Sequence, residues 1–157
     1  MAEPREYLCC IDGSERALRA VGAGLAVLDP AGTPVVVTVV EPVDPTLVMG
    51  TGLAAGTMSP EAYEAMRTAR LREAEELVAA GAAALGIGDA ETRILQGPAG
   101  PAICDHARDT GAAAIVIGSR GHGGLRRAIL GSVSDHVVRH APCPVVVTGH
   151  PEELEGG

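Results

Sequence analysis

The chain has 157 residues, enough for one domain that buries about two thirds of the surface its unfolded form exposes. Its net charge of −8 argues against nucleic acid or an anionic membrane surface as a partner, because neutralising phosphates needs clustered positive charge. All twelve basic residues are arginine, and the missing lysine excludes a Walker A loop, a protein-kinase core of the usual kind and Schiff-base chemistry.

Tyr7 to Ile11 is a short apolar run ended by Asp12-Gly13-Ser14, which reads as a buried strand followed by a turn. Cys9 and Cys10 within it are expected on opposite faces. With Cys104 and Cys143 they form no CxxC pair, so all four read as small buried hydrophobes of a reducing cytosol. Ser14 is placed to cap a helix carrying Ala17, Leu18, Val21, Leu25 and Leu28, which Asp29-Pro30-Ala31-Gly32 stops. Pro34 to Val40, dense in β-branched residues, is the second strand. Residues 41–57 are rich in Pro and Gly without periodicity and read as a long loop, of the kind that is functional or mobile.

Ser59-Pro60-Glu61 opens a helix that runs to about Leu85, with Gly86 as its stop. Glu91 to Gln96 is the third strand, and Gly97-Pro98 breaks it. Pro101 to Arg108 is a helix with Ile103 and Ala107 facing inward, and Ala112 to Ile117 is the fourth strand. Ser132 to His140 is a helix closed by Pro142, and Pro144 to Thr148 is the fifth strand. Residues 1–150 thus form one domain, and 151–157 form a disordered acidic tail. The N-terminus has no apolar stretch of signal-peptide length, and no apolar run would span a bilayer, so a soluble cytoplasmic protein is expected. With no Trp, no Phe and only Tyr7 and Tyr63, the core is built from Val, Ile, Leu and Ala, and little aromatic surface is left to stack a base.

Strands that are continuous apolar runs and alternate with helices predict a doubly wound parallel sheet covered on both faces. In such a sheet ligands bind in a crevice at the carboxyl ends of the strands, where Asp12, Glu41, Gly97 and Gly118 all fall. Asp12 fits a ribose or metal-phosphate contact there, and it equally fits an ordinary Asx turn.

The stretch from Gly118 to Ser132, GSRGHGGLRRAILGS, joins a buried strand to a helix N-terminus through a glycine-rich loop. That order gathers backbone N–H groups and a helix dipole at one point, which suits phosphate. Gly118 and Gly121 also fit simple turn glycines. Gly131-Ser132 favours binding, with a hydroxyl at the N-cap beside the open N–H groups of Ser132, Val133 and Ser134. Arg120, Arg126 and Arg127 make a local positive group in an acidic chain, although Arg126 and Arg127 fit a solvated loop as well. His136 and His140 have a spacing used by zinc sites, but no third ligand accompanies them and a metal pair is rejected. No catalytic triad and no GxSxG are present.

The G-2x-G-9x-G-[S/T] spacing at Gly118, Gly121, Gly131 and Ser132 resembles the signature of the universal stress protein family, in its ATP-binding branch. CCIDGSERA, VVVTVVEP, LQGPAGPAICDHA and HAPCPVVVT resemble other parts of the same family, so the likeness runs from Tyr7 to Thr148. The resemblance implies an adenine nucleotide alpha hydrolase-like, three-layer α/β/α fold with five parallel strands in the order 3-2-1-4-5. It implies ATP held with Mg²⁺ or Mn²⁺. Adenine and ribose contacts fall near Ile11, Asp12 and Val39, and phosphate contacts come from Gly118, Gly121, Gly131, Ser132 and Val133. It further implies a homodimer through the fifth strand, Pro144 to Thr148. Family members often have an acidic residue just before the fourth strand, where this chain has Ala113. The function implied is that of an ATP-binding regulator in stress response, with slow or no hydrolysis and no catalytic residue. A nucleotide-independent adaptor acting through protein contacts is the alternative.

Overall fold

The β-branched runs become one sheet. In a computed structural model that describes residues 5–49, 57–120 and 130–149, the strands are β1 (Glu6–Cys10), β2 (Thr33–Val40), β3 (Glu91–Gln96), β4 (Ala114–Gly118) and β5 (Val145–Thr148). All pairings are parallel, and the order is β3-β2-β1-β4-β5, as the resemblance implies. The described helices are α1 (Glu15–Leu25), α2 (Thr46–Met49), α3 (Pro60–Ala84), α4 (Ala99–Thr110) and α5 (Ser132–His140).

Alternation along the strands divides the core in two. Leu8, Cys10, Val35, Val37, Ile115 and Ile117 face α4 and α5, where Ile103, Ala107 and Val137 meet them. Cys9, Ile11, Val36 and Val116 face α1 and α3, where Val21, Val78 and Ala82 meet them. Cys9 and Cys10 do point to opposite faces. Leu8, Val35, Val36, Val37, Ile115 and Val116 have no exposed surface, as strands of a doubly covered parallel sheet require. α1 lies close on β4 because Gly24 has no side chain: a Cβ there would stand 2.4 Å from Val116 Cγ1.

Several boundaries differ from the sequence reading. β1 begins and ends one residue earlier than Tyr7–Ile11, so Ile11 lies just past the strand. α1 stops at Leu25, and 26–28 continue only as single turns, with Leu28 still packed on the core. α4 extends to Ala99–Thr110, ending at the left-handed Gly111, while β4 starts two residues later, at Ala114. The 41–57 segment is not all loop. Asp44 Oδ1 accepts from Thr46 N and Oγ1, and α2 follows for one turn. Residues 50–56 of that segment and the acidic tail lie outside the described residues. In α3 the buried residues are Ala74, Val78, Gly81 and Ala82, all in its second half, while Tyr63 in its first half is only partly buried.

Candidate functional site

Neighbouring strands β1 and β4 send their chains to opposite faces. β1 leads into α1 on one side, and β4 leads toward α5 on the other. That divergence opens a crevice at the carboxyl edge of the sheet. A cleft of about 670 Å³ occupies it. Its walls include Ile11, Asp12, Val39, Gly118, Arg120, Gly131, Ser132 and Val133, the described residues read from the family resemblance and the loop, whereas Glu41 and Gly97 do not line it. Gly121, Arg126 and Arg127 lie outside the described residues.

Asp12 makes the turn after β1. Its Oδ1 accepts from Ser14 N at 2.9 Å and Ser14 Oγ at 2.6 Å, with Gly13 at φ +85°. The Ser14 hydroxyl then accepts from Ala17 N and caps α1. Asp12 therefore builds the Asx turn, and it stands in the cleft wall.

Val39 contributes its backbone. In a parallel ladder the N–H and C=O groups of one residue face the same neighbour, and successive residues alternate sides. Val37 O accepts from Ile11 N, so Val37 faces β1; Val40 O accepts from Gly97 N, so Val40 faces β3. Val39 therefore faces β1, but beyond the point where β1 has ended. Among the described residues its N–H and C=O have no ladder partner, and they present one donor and one acceptor to the cleft.

The start of α5 corrects the expected cap. Gly131, not Ser132, is the N-cap, and it has no side chain with which to cap; Ser132 is the first helical residue. Gly131 N donates to Ser119 O at 2.7 Å, and Ser134 Oγ, 3% exposed, donates to Ser119 O at 2.8 Å, which pins the helix start to the end of β4. Asp135 N makes the first intrahelical bond, to Gly131 O. Among the described residues the N–H groups of Ser132, Val133 and Ser134 have no backbone partner, and they lie at the positive end of the helix dipole.

The two glycines differ in what they do. A Cβ at Gly118 would stand 3.2 Å from Ala20 Cβ, so Gly118 serves the packing of α1 on β4. A Cβ at Gly131 would meet its neighbours only at 3.5 Å or more, and its φ of −71° suits any residue. Nothing among the described residues requires glycine at 131.

The family model for the universal stress protein family matches residues 5–149. The chain belongs to the universal stress protein family. A curated universal stress protein of Thermus aquaticus, encoded in the QAH/OAS sulfhydrylase 3′ region, is 35% identical over 144 residues, covering 91% of this chain and 97% of that protein. A universal stress protein solved in complex with cAMP is 25% identical with a TM-score of 0.56, covering 92% of this chain and 95% of that one. An Arabidopsis thaliana family protein with AMP bound matches at 20% identity and TM-score 0.60, covering 96% and 95%. An Archaeoglobus fulgidus universal stress protein with dAMP matches at 22% and 0.58, covering 94% and 99%.

Within this universal stress protein domain, sequence reading missed part of the wall. Thr38 from β2, Arg70, Glu73 and Leu77 from α3, and Ala99 and Ile103 from α4 also line the cleft. Thr38 had a visible signal, as the lone polar residue in a run of valines. The α3 residues had none, because α3 has no clear apolar stripe to say which side covers the sheet edge. His136 and His140 stack with ring centroids 4.2 Å apart, and His140 Nδ1 lies 2.9 Å from His136 O. Among the described residues no group of three His, Cys, Asp or Glu is arranged to hold a metal. Burial pushes the Cys9 thiol up to about 12 and Cys10 higher still, which favours the neutral thiol at both positions. No described helix is long and apolar enough to cross a membrane.

Proposed function

We propose that this chain is an ATP-binding regulator whose nucleotide lies across the carboxyl edge of the sheet. The observation that carries the reading is the convergence of three features on one cleft: the unpartnered N–H and C=O of Val39, the Asp12 carboxylate, and the uncapped N-terminus of α5. Their chemistry is complementary to adenine, ribose and phosphate in turn. Adenine offers N1 as acceptor and its amino group as donor, the match to an N–H and a C=O. A carboxylate accepts from ribose hydroxyls. Three backbone N–H groups donate to phosphate oxygens, with Arg120 adding positive charge. Relatives that hold cAMP, AMP and dAMP support an adenine nucleotide.

A divalent ion, Mg²⁺ or Mn²⁺, would travel with the phosphates and neutralise part of their charge. The described residues provide no ligand set of their own for it, so it would be held mainly by phosphate oxygens. Hydrolysis is slow or absent, because the chain has no lysine to stabilise the transferring phosphoryl group.

Two copies pair through β5, the sheet edge opposite β3. β3 has Glu91 and Arg93, which discourage edge pairing, whereas β5 reads Val-Val-Val-Thr with no charge. The protein works in the cytoplasm. Calorimetric titration with ATP, with and without Mg²⁺, tests the reading together with assay of nucleotide retained after gentle purification. Saturable binding of ATP supports it. A folded protein that binds no adenine nucleotide would instead be an adaptor acting through protein contacts.

A further inference from the structure

The β1–β2 ladder ends in an unusual way. The rung after Ile11 N–H to Val37 O would be Val39 N–H to Ile11 O. That rung is not made. Ile11 O accepts instead from Thr38 Oγ1, at 3.0 Å. Thr38 is 5% exposed and sits on the α3 face of β2, on the same side as Ile11. A buried carbonyl needs a donor, and here a side chain supplies it in place of the backbone.

We propose that Thr38 is a positioning residue for base selection. By satisfying Ile11 O, its hydroxyl keeps Val39 N–H out of the ladder and directed into the cleft, where the N–H and C=O of Val39 discriminate adenine from purines with a 6-oxo group. The proposal rests on the adenine-nucleotide reading above. Without the hydroxyl, Ile11 O takes its donor from Val39 N–H and the ladder closes by one rung. The donor that meets adenine N1 is then already engaged. Hypoxanthine, with N1–H and O6, presents the reverse pattern and is rejected only while Val39 stays open.

The pair Thr38→Val and Thr38→Ser separates the hydroxyl from the shape of the side chain. Valine keeps the branched volume and loses the donor; serine keeps the donor. Amide exchange read by NMR on ligand-free protein tests the ladder directly. Val39 N–H should exchange readily in the wild type and in Thr38→Ser, and become protected in Thr38→Val. Titration with AMP and IMP tests the selectivity. Losing one hydrogen bond to the base should weaken AMP binding by about tenfold in Thr38→Val. IMP binding should change much less, so the preference for AMP shrinks, and Thr38→Ser should restore it. A merely structural role would lower both affinities alike. The proposal is overturned if Val39 N–H is already protected in the wild type, or if Thr38→Val leaves the AMP-to-IMP ratio unchanged. If the exchange pattern appears as expected but neither nucleotide binds the wild type, the adenine reading falls and selectivity falls with it, while the rearrangement of the ladder stands.

Discussion

Replacing Gly131 probes the phosphate end of the cleft with little disturbance to the fold. The backbone there, φ −71° and ψ 165°, is open to any residue, and a Cβ meets Arg120 Cα, Ser119 O and Ser134 Oγ only at 3.5–3.6 Å. The folding cost of Gly131→Ala is therefore limited to the poorer N-cap, about 0.5–1 kcal/mol. For a domain of this size that lowers Tm by roughly 1–4 °C. The binding cost is larger. The added carbon occupies the approach to the N–H groups of Ser132 and Val133, and each hydrogen bond to a charged phosphate is worth about 1.5–3 kcal/mol. Loss of one such bond weakens ATP about ten- to a hundredfold, and Gly131→Val should lose more. Gly118→Ala gives the opposite pattern: with Ala20 Cβ only 3.2 Å away, α1 must shift, and stability falls by about 1–3 kcal/mol. Calorimetric titration with ATP beside thermal unfolding reads both quantities. A folded Gly131→Val protein with unchanged ATP affinity would refute the placement of phosphate on α5.

Three further outcomes are expected. Arg93 reaches Glu91, Glu6 and His106, with Arg93 Nη1 3.2 Å from His106 Nε2, and burial together with Arg93 holds the His106 imidazole below its ordinary value of 6.5. The unfolded chain then binds more protons than the folded one just below pH 6.5, so stability is full above that pH and falls as pH drops; urea unfolding from pH 8 to 5 should show a loss that His106→Asn lessens, and equal slopes in the two proteins would contradict the shift. The register of β5 moves the test of the dimer. Pro144 O and Thr148 O accept from Ile115 and Ser119, so Val146 faces β4 and a proline there breaks the sheet, whereas the N–H of Val147 points to the open edge. Val147→Pro should therefore give monomers by sedimentation without loss of fold, and a wild type that is already monomeric at micromolar concentration would sink the interface. ATP turnover in a preparation free of contaminating ATPase should stay well below about 1 per second, the low end of ordinary enzyme rates, and turnover above it would reveal a water-orienting group.

What the sequence disclosed was whatever depends on runs and punctuation. β2 and β4 are continuous apolar stretches bounded by turn residues, and their alternation with helices requires a parallel sheet; the strand order came from family resemblance, since periodicity alone says nothing about which strands are neighbours. The cleft residues on strand ends were legible because Asp12 and Gly118 directly follow such runs. Residues presented by helix faces were not. Arg70 and Glu73 line the cleft only because of how α3 packs against the sheet, a fact of tertiary structure. The cap moved from Ser132 to Gly131 because Ser134 Oγ ties the helix start to Ser119 O, and no local preference records that long-range bond. α2 escaped notice because one turn is too short to show a period.

With neither Trp nor Phe in the chain, the two tyrosines are its only strong near-ultraviolet chromophores, and the fold gives them different surroundings. Tyr7 is 6% exposed and its ring lies against Gly32, where a Cβ would come within 2.2 Å of it; it reports the first rung of the sheet. Tyr63, half-buried near the start of α3, donates its hydroxyl to Val43 O, beside the segment that leaves β2. Near-ultraviolet circular dichroism thus has two separable sources, one at the foot of the sheet and one beside the cleft. Tyr63→Leu and Tyr7→Leu would assign them in turn. A ligand that loosens or tightens the cleft rim would then alter one band alone, while global unfolding would erase both, and the molecule could be read without any added label.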